Sequence, residues 1–107
     1  MGFFKTMFRM NTNRIGNVTG SDFANCYLSP ANKDGMPALM IYGVKTDDYI
    51  FNKADVKEFQ LLESSAMLIL DGKRYVGNKY KIVFRDGKNA LLNVPVASCQ
   101  KVETVLY

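Results

Sequence analysis

Beyond the first third of the chain, apolar positions recur in short runs separated by turn residues, which is typical of antiparallel strands. A run at 39–44 (LMIYGV) is followed by a polar turn and by a returning apolar run at 49–51, and this spacing predicts a hairpin. A second run at 66–70 (AMLIL) ends at Asp71-Gly72, a dipeptide that favours tight turns. The pattern therefore predicts a sheet built from consecutive hairpins.

Residues 79–85 (KYKIVFR) alternate between apolar side chains at even positions and mostly basic side chains at odd positions. Such alternation predicts a half-buried strand with a basic outer face. Asp86-Gly87 then predicts a second tight hairpin into a strand at 89–94, and Pro95 ends that strand.

Two further stretches have a helical spacing. Residues 96–107 lack Gly and Pro and predict an amphipathic helix. Its apolar stripe consists of Val96, Cys99, Val102 and Leu106. Residues 52–63 (NKADVKEFQLLE) fit two interpretations, a helix capped by Asn52 or a turn at 52–54 followed by a strand. We favour the turn and strand.

The first third of the chain has a different pattern. Within residues 1–10 (MGFFKTMFRM) the apolar side chains recur at helical spacing and predict a short N-terminal helix. These side chains are Phe3, Phe4, Met7 and Phe8. Residues 11–22 are polar and carry two glycines, which is typical of a linker. Residues 23–28 predict a short strand, and two prolines with Asp-Gly predict a loop at 29–37.

These elements predict one domain over residues 1–107, because a chain of this length has room for a single hydrophobic core. Its predicted fold class is α+β, mostly antiparallel β. The N-terminal helical segment and linker occupy 1–22, the antiparallel sheet 23–94 and the C-terminal helix 95–107. The sheet is expected to be strongly bent or to form a partial barrel.

Several segments resemble the small bacterial PH-like (GRAM-type) domains. They are 49–51 (YIF), 55–59 (DVKEF), 81–88 (KIVFRDGK) and the helix that follows Pro95. The resemblance covers 49–107, a little over half of the chain. It implies a partial barrel closed by a C-terminal helix, and a binding or scaffolding module whose family shares no catalytic residues.

Charge adds one candidate binding surface to this picture. The net charge of +4 is uneven, at +3 for residues 1–20, −3 for 21–70 and +4 for 71–107. Six bases lie within sixteen positions: Lys73, Arg74, Lys79, Lys81, Arg85 and Lys88. A basic sheet face can hold the phosphates of lipid headgroups or nucleic acid. It can equally be a solvated face that keeps the sheet soluble.

Nothing in the sequence indicates catalysis. The chain has no histidine, so the commonest general base and metal ligand are missing. Ser98 and Lys101 match an S-x-x-K spacing, but the further motifs of acyl-serine enzymes are absent and a helix surface explains the pair. We therefore expect a protein that is not an enzyme and that uses neither a metal nor a cofactor.

The expected location is the cytoplasm. Lys5 and Arg9 interrupt the apolar N-terminal stretch, so neither a signal peptide nor a transmembrane segment is predicted. Cys26 and Cys99 are expected to be buried, reduced thiols. A long-range disulfide between them is the alternative if the protein is exported.

The sequence thus favours a non-catalytic binding or regulatory module that acts through protein–protein contacts. We expect a homodimer with the N-terminal side chains Phe3, Phe4, Met7 and Phe8 at its interface, because Phe and Met are enriched at interfaces. A peripheral binder of anionic membranes, which uses these side chains with the basic cluster, is the alternative. A nucleic-acid binder that uses the basic cluster alone is a further alternative.

Overall fold

The computed structural model describes residues 14–107, which form one antiparallel sheet of seven strands and one α-helix. The strands are β1 (Gly16–Thr19), β2 (Cys26–Lys33), β3 (Met36–Tyr42), β4 (Tyr49–Phe51), β5 (Val56–Leu70), β6 (Lys73–Phe84) and β7 (Asn89–Pro95), followed by helix α1 (Val96–Leu106). Their order in the sheet is β4-β3-β2-β1-β7-β6-β5. The mostly antiparallel sheet and the C-terminal helix are confirmed. The predicted N-terminal helix lies outside the described residues.

The open sheet bends so that side chains from distant strands meet in one core. Phe51 on β4 and Phe84 on β6 pack with their ring centroids 4.8 Å apart, although four strands separate β4 from β6 in the sheet. Helix α1 buries Cys99, Val102 and Leu106. Val96, expected on the same stripe, is exposed because it lies at the first turn of the helix, before the part that packs on the core.

The hairpins at Asp71-Gly72 and Asp86-Gly87 are confirmed, and so is the interpretation of 52–63 as a turn and a strand. A 3₁₀ turn (Lys53–Asp55) precedes β5. The Asn52 side chain accepts a hydrogen bond from the backbone N–H of Ala54, and Asp55 accepts one from that of Asn52. These reciprocal bonds stabilise a single turn, and the β-branched Val56 then starts the strand.

The loop expected at 29–37 is instead a hairpin made by β2 and β3. Pro30 and Pro37 lie where the hairpin extends past its neighbours, since β1 pairs with 26–28 and β4 pairs with 39–41. A proline is tolerated at such positions because no further strand needs its missing N–H. Only Asp34 and Gly35, both with positive φ, form the turn.

The linker expected at 11–22 contains β1, which pairs with both β2 and β7. Val18 at its centre is fully buried. Four residues are too few to show a clear alternation in the sequence, so this strand depends on its two neighbours rather than on its own pattern.

The apolar run at 66–70 also has a different place in the fold. Its residues are the end of one fifteen-residue strand, β5, and do not form a separate one.

Candidate protein-interaction surface

The β5–β6 pair extends beyond the rest of the sheet as a two-stranded arm. The last residue of β6 that pairs with β7 is Gly77, opposite Pro95. Residues 66–76, which we call the distal hairpin, have no strand partner outside the β5–β6 pair, since Ala66 at their base lies opposite Gly77, and they turn at Asp71-Gly72. A two-stranded hairpin is marginally stable by itself, so contacts with the body of the domain must support this one.

One face of the distal hairpin, the packed face, provides that support. Ala66, Leu68 and Leu70 are buried in a small apolar cluster of their own. Leu68 packs against Gly77 so closely that a Cβ atom there would lie 2.7 Å from its Cδ1 atom, and 2.1 Å from the Val94 carbonyl oxygen. Gly77 thus allows the hairpin to fold against the end of β7.

The packed face also borders a cavity of about 470 Å³ between the hairpin, the start of β1 and the start of α1. Leu70 and Tyr75 line it from the hairpin, and Ile15 and Pro95 line it from the body. At its rim Arg14 forms an ion pair with Asp71 at the hairpin turn. The hairpin is therefore attached to the domain at its turn as well as at its base.

The opposite face, the exposed face, carries apolar side chains in water. It consists of the cross-strand pairs Met67–Val76 and Ile69–Arg74. Met67 is 62% exposed, Ile69 68% and Val76 51%. Leu61 and Leu62, nearer the base of β5, are also exposed. Half of the twelve large apolar side chains that are exposed in residues 14–107 lie on β5 or β6.

The structure spreads the six bases of the predicted basic cluster along β6 and the turn that follows it. Lys73 and Arg74 lie at the tip of the distal hairpin, where both are exposed. Lys79 and Lys81 lie on the middle of the strand, opposite Glu63 and Gln60 of β5. Since twelve residues of a strand span roughly 40 Å, the tip bases are far along the strand from Arg85 and Lys88.

Arg85 and Lys88 are engaged in contacts at the other end of the sheet. The Arg85 guanidinium donates a hydrogen bond of 3.0 Å to the Ala54 carbonyl, and Lys88 Nζ lies 5.2 Å from the centre of the Tyr49 ring. Tyr49 donates a 2.8 Å hydrogen bond to Asp86. Burial, together with this bond to a carboxylate, raises the pKa of Tyr49 above its usual value.

The exposed apolar face is the part of this surface that the sequence did not indicate. In an all-apolar run such as AMLIL no alternation is visible, so the run gives no sign that Met67 and Ile69 point to solvent. Val76 is in phase with the buried Tyr80 and Ile82, and it is exposed only because β7 and the core end before it. The extension of the hairpin decides the exposure of all three.

The other predicted contact residues lie outside the described part of the chain. They are Phe3, Phe4, Met7 and Phe8. Within residues 14–107, no helix is long and apolar enough to cross a membrane. The same range contains no group of three or more Cys, Asp or Glu side chains placed to hold a metal ion.

Comparison with protein-family models, curated proteins and solved structures finds no match to this chain.

Proposed function

We propose that this chain is a non-catalytic binding module that acts through protein–protein contacts, with the exposed face of the distal hairpin as its contact surface. The observation that carries the proposal is the contiguity of Met67, Ile69 and Val76. Single exposed apolar residues are common on proteins, whereas a patch of neighbouring ones marks an interaction site. Methionine also adapts its shape readily to a partner.

The architecture supports a PH-like (GRAM-type) small domain as the scaffold for this surface. A meander of antiparallel strands that bends on itself and ends in a helix packed on the core is what that resemblance implies. The free, buried thiols Cys26 and Cys99 are compatible with a reducing compartment, so we place the module in the cytoplasm.

Binding to an anionic membrane surface is the second candidate function. Lys73 and Arg74 lie at the tip of the distal hairpin beside the exposed Ile69, and a combination of bases with apolar side chains suits a lipid surface. Nucleic acid is less favoured, because Glu63 lies opposite Lys79 and reduces the positive charge on the middle of the strand.

A photo-crosslinking amino acid at position 69, incorporated in cells that express the full chain, tests the proposed function. Because Ile69 is 68% exposed, the replacement leaves the core untouched. We expect protein adducts at this position after irradiation, detected as larger bands on a denaturing gel and identified by mass spectrometry. Lipid adducts in place of protein adducts would support the membrane alternative.

Position 36 is the matched control. Met36 is 60% exposed, but it lies at the start of β3 beside the β2–β3 turn, away from the distal hairpin. We expect few adducts there, since only non-specific contacts of an exposed side chain would produce them. Equal protein adducts at positions 36 and 69, or none at either, would contradict the hairpin as a contact surface.

A further inference from the structure

Among the strands of residues 14–107, β5 is one of the two edges of the sheet, and its last five residues are unprotected. The first ten residues of β5 have register shifts between Val56 and Glu58, between Leu61 and Glu63 and between Glu63 and Ala66, and they carry three charges. Bulges and charges are the devices that prevent edge-to-edge pairing of strands. Residues 66–70 (AMLIL) have a regular register, no charge and no proline.

The hydrogen-bonding groups that face outward from this segment can be assigned from the turn. Asp71 and Gly72, at φ 54° and 77°, form a two-residue loop of the type that joins a hydrogen-bonded pair, here Leu70 and Lys73. Since pairs of this kind recur at every second residue, Leu68 also bonds toward β6. The N–H and C=O groups of Met67 and Ile69 therefore face the open edge.

We propose that the partner of the distal hairpin is a second copy of the chain, joined edge to edge through antiparallel pairing of residues 66–70 around a two-fold axis at Leu68. The proposal rests on the proposed function and specifies its partner. The regular segment is symmetric about Leu68, because residues with positive φ, Ser65 and Asp71, end it three positions away on either side. Pairing centred on Leu68 is the register that uses all five residues.

This register places complementary side chains together. Met67 of each copy lies opposite Ile69 of the other, so the residues with outward backbone groups also form apolar cross-strand pairs on the exposed face. The two neutral segments do not repel each other. The antiparallel direction brings the basic tip of each copy, at Lys73 and Arg74, toward the Glu63 end of its partner, which complements the charges.

The size of the contact determines its strength. Five residues of strand are about 17 Å long, which is short compared with the interfaces of obligate dimers. We therefore expect a dimer that dissociates on dilution. The β6 side of the distal hairpin is a poorer edge, because it has only four residues before the Pro95 pair and two of them are Lys73 and Arg74.

Disulfide trapping between two variants tests this register. When Met67→Cys and Ile69→Cys chains are mixed under mild oxidation, we expect a covalent dimer at a yield several times that of either variant alone. Opposite residues of antiparallel strands have Cα atoms about 5.5 Å apart, within the reach of a disulfide, whereas two residues at position 67 lie diagonally and farther apart. The unsubstituted chain, with both cysteines buried, is the control.

A second measurement separates backbone pairing from contact between apolar faces. Ile69→Pro removes an edge-facing N–H in each copy, and proline is tolerated in an edge strand. We expect it to raise the dimer dissociation constant by about tenfold or more, as measured by sedimentation equilibrium. Ile69→Ala keeps the N–H and should raise it less. Circular dichroism confirms that both variants remain folded.

The outcomes distinguish this proposal from the broader proposed function. A chain that stays monomeric at concentrations up to about 1 mM, the weak end of the range of specific affinities, overturns the second copy as partner. So does equal trapping in the mixed and single-variant samples, or an alanine variant as impaired as the proline variant. In each case, adducts to another protein at position 69 would leave the distal hairpin as a protein-binding surface.

Discussion

Two buried tyrosines, Tyr80 and Tyr42, differ in whether their hydroxyl groups form hydrogen bonds, and they therefore differ in their effect on stability. The Tyr80 hydroxyl donates a 2.5 Å hydrogen bond to Glu103 on α1 and accepts a 3.1 Å bond from the Asn78 amide. Burial and the bond to Glu103 raise the pKa of Tyr80, so the hydroxyl stays neutral. The Tyr42 hydroxyl oxygen is buried without a hydrogen-bond partner in the described part of the chain.

We expect Tyr80→Phe to lower the free energy of unfolding by about 1–3 kcal/mol, because a hydrogen bond to a charged group is lost and its partners stay partly buried. Tyr42→Phe is the matched control. It should change stability by less than about 0.5 kcal/mol or increase it, since no bond is broken and a buried polar atom is removed. Urea unfolding followed by circular dichroism measures both. Equal losses would contradict the assigned hydrogen bonds.

At the scale of elements, the long β5–β6 pair depends on one close contact at Gly77. Because Gly77 has no side chain, β6 can lie directly beside β7 and Leu68 can pack over Gly77. Asn78, the next residue, accepts a hydrogen bond from the Ser65 backbone N–H at the β5 bulge, so strand and bulge are held together just where the distal hairpin begins. This junction positions the exposed face relative to the body of the domain.

Gly77→Ala should destabilise the protein by more than about 2 kcal/mol, because a Cβ atom would overlap the Val94 carbonyl and Leu68 and force the strands apart. Gly43→Ala is a control with ordinary backbone angles, where the nearest atom to the added Cβ is Cys26 Sγ at 3.1 Å. Its loss should be clearly smaller. Thermal unfolding of both variants checks the expectation, and comparable melting temperatures would refute the junction at Gly77.

At the scale of the whole molecule, Asp55 connects the two halves of the sheet. Its carboxylate lies 2.8 Å from Lys33 Nζ on β2, and its backbone carbonyl accepts a hydrogen bond from the Arg85 N–H after β6. The hydrogen bond from Lys33 lowers the pKa of Asp55, and the bond from the Asn52 N–H adds to this effect against a partial desolvation.

A group whose pKa falls on folding stabilises the folded state above its unfolded pKa, near 3.9 for aspartate, and that stabilisation disappears as the pH falls through the folded value. We therefore expect Asp55→Asn to lower stability at pH 7 by less than about 1 kcal/mol, because water still reaches both side chains of the ion pair, which are 35% and 32% exposed. The difference should shrink as the pH falls through the lowered pKa of the folded state. Asp34→Asn, in the β2–β3 turn, is the control. A loss that persists unchanged in acid would contradict the role of the charge.

Some features of the candidate surface can be predicted from the sequence, and others depend on the arrangement of the sheet. The bases at 73–88 were visible as a cluster, but their separation along β6 follows from the length of the strand. The apolar run at 66–70 was visible as a strand, but its free edge and its exposed side chains follow from its place in the sheet. Local sequence specifies neither, because exposure depends on which neighbours a strand acquires.

The sequence by itself determined the elements that have a strong local signal. The alternation at 79–85 predicts β6, the Asp-Gly turns predict its two hairpins, and the helical spacing at 96–107 predicts α1. These signals are local, since backbone preference and periodicity act over a few residues. The tertiary structure decided β1, the β2–β3 hairpin and the exposed face of the distal hairpin. These depend on contacts between residues far apart in the chain, which supply the pairing and burial that their own residues do not indicate.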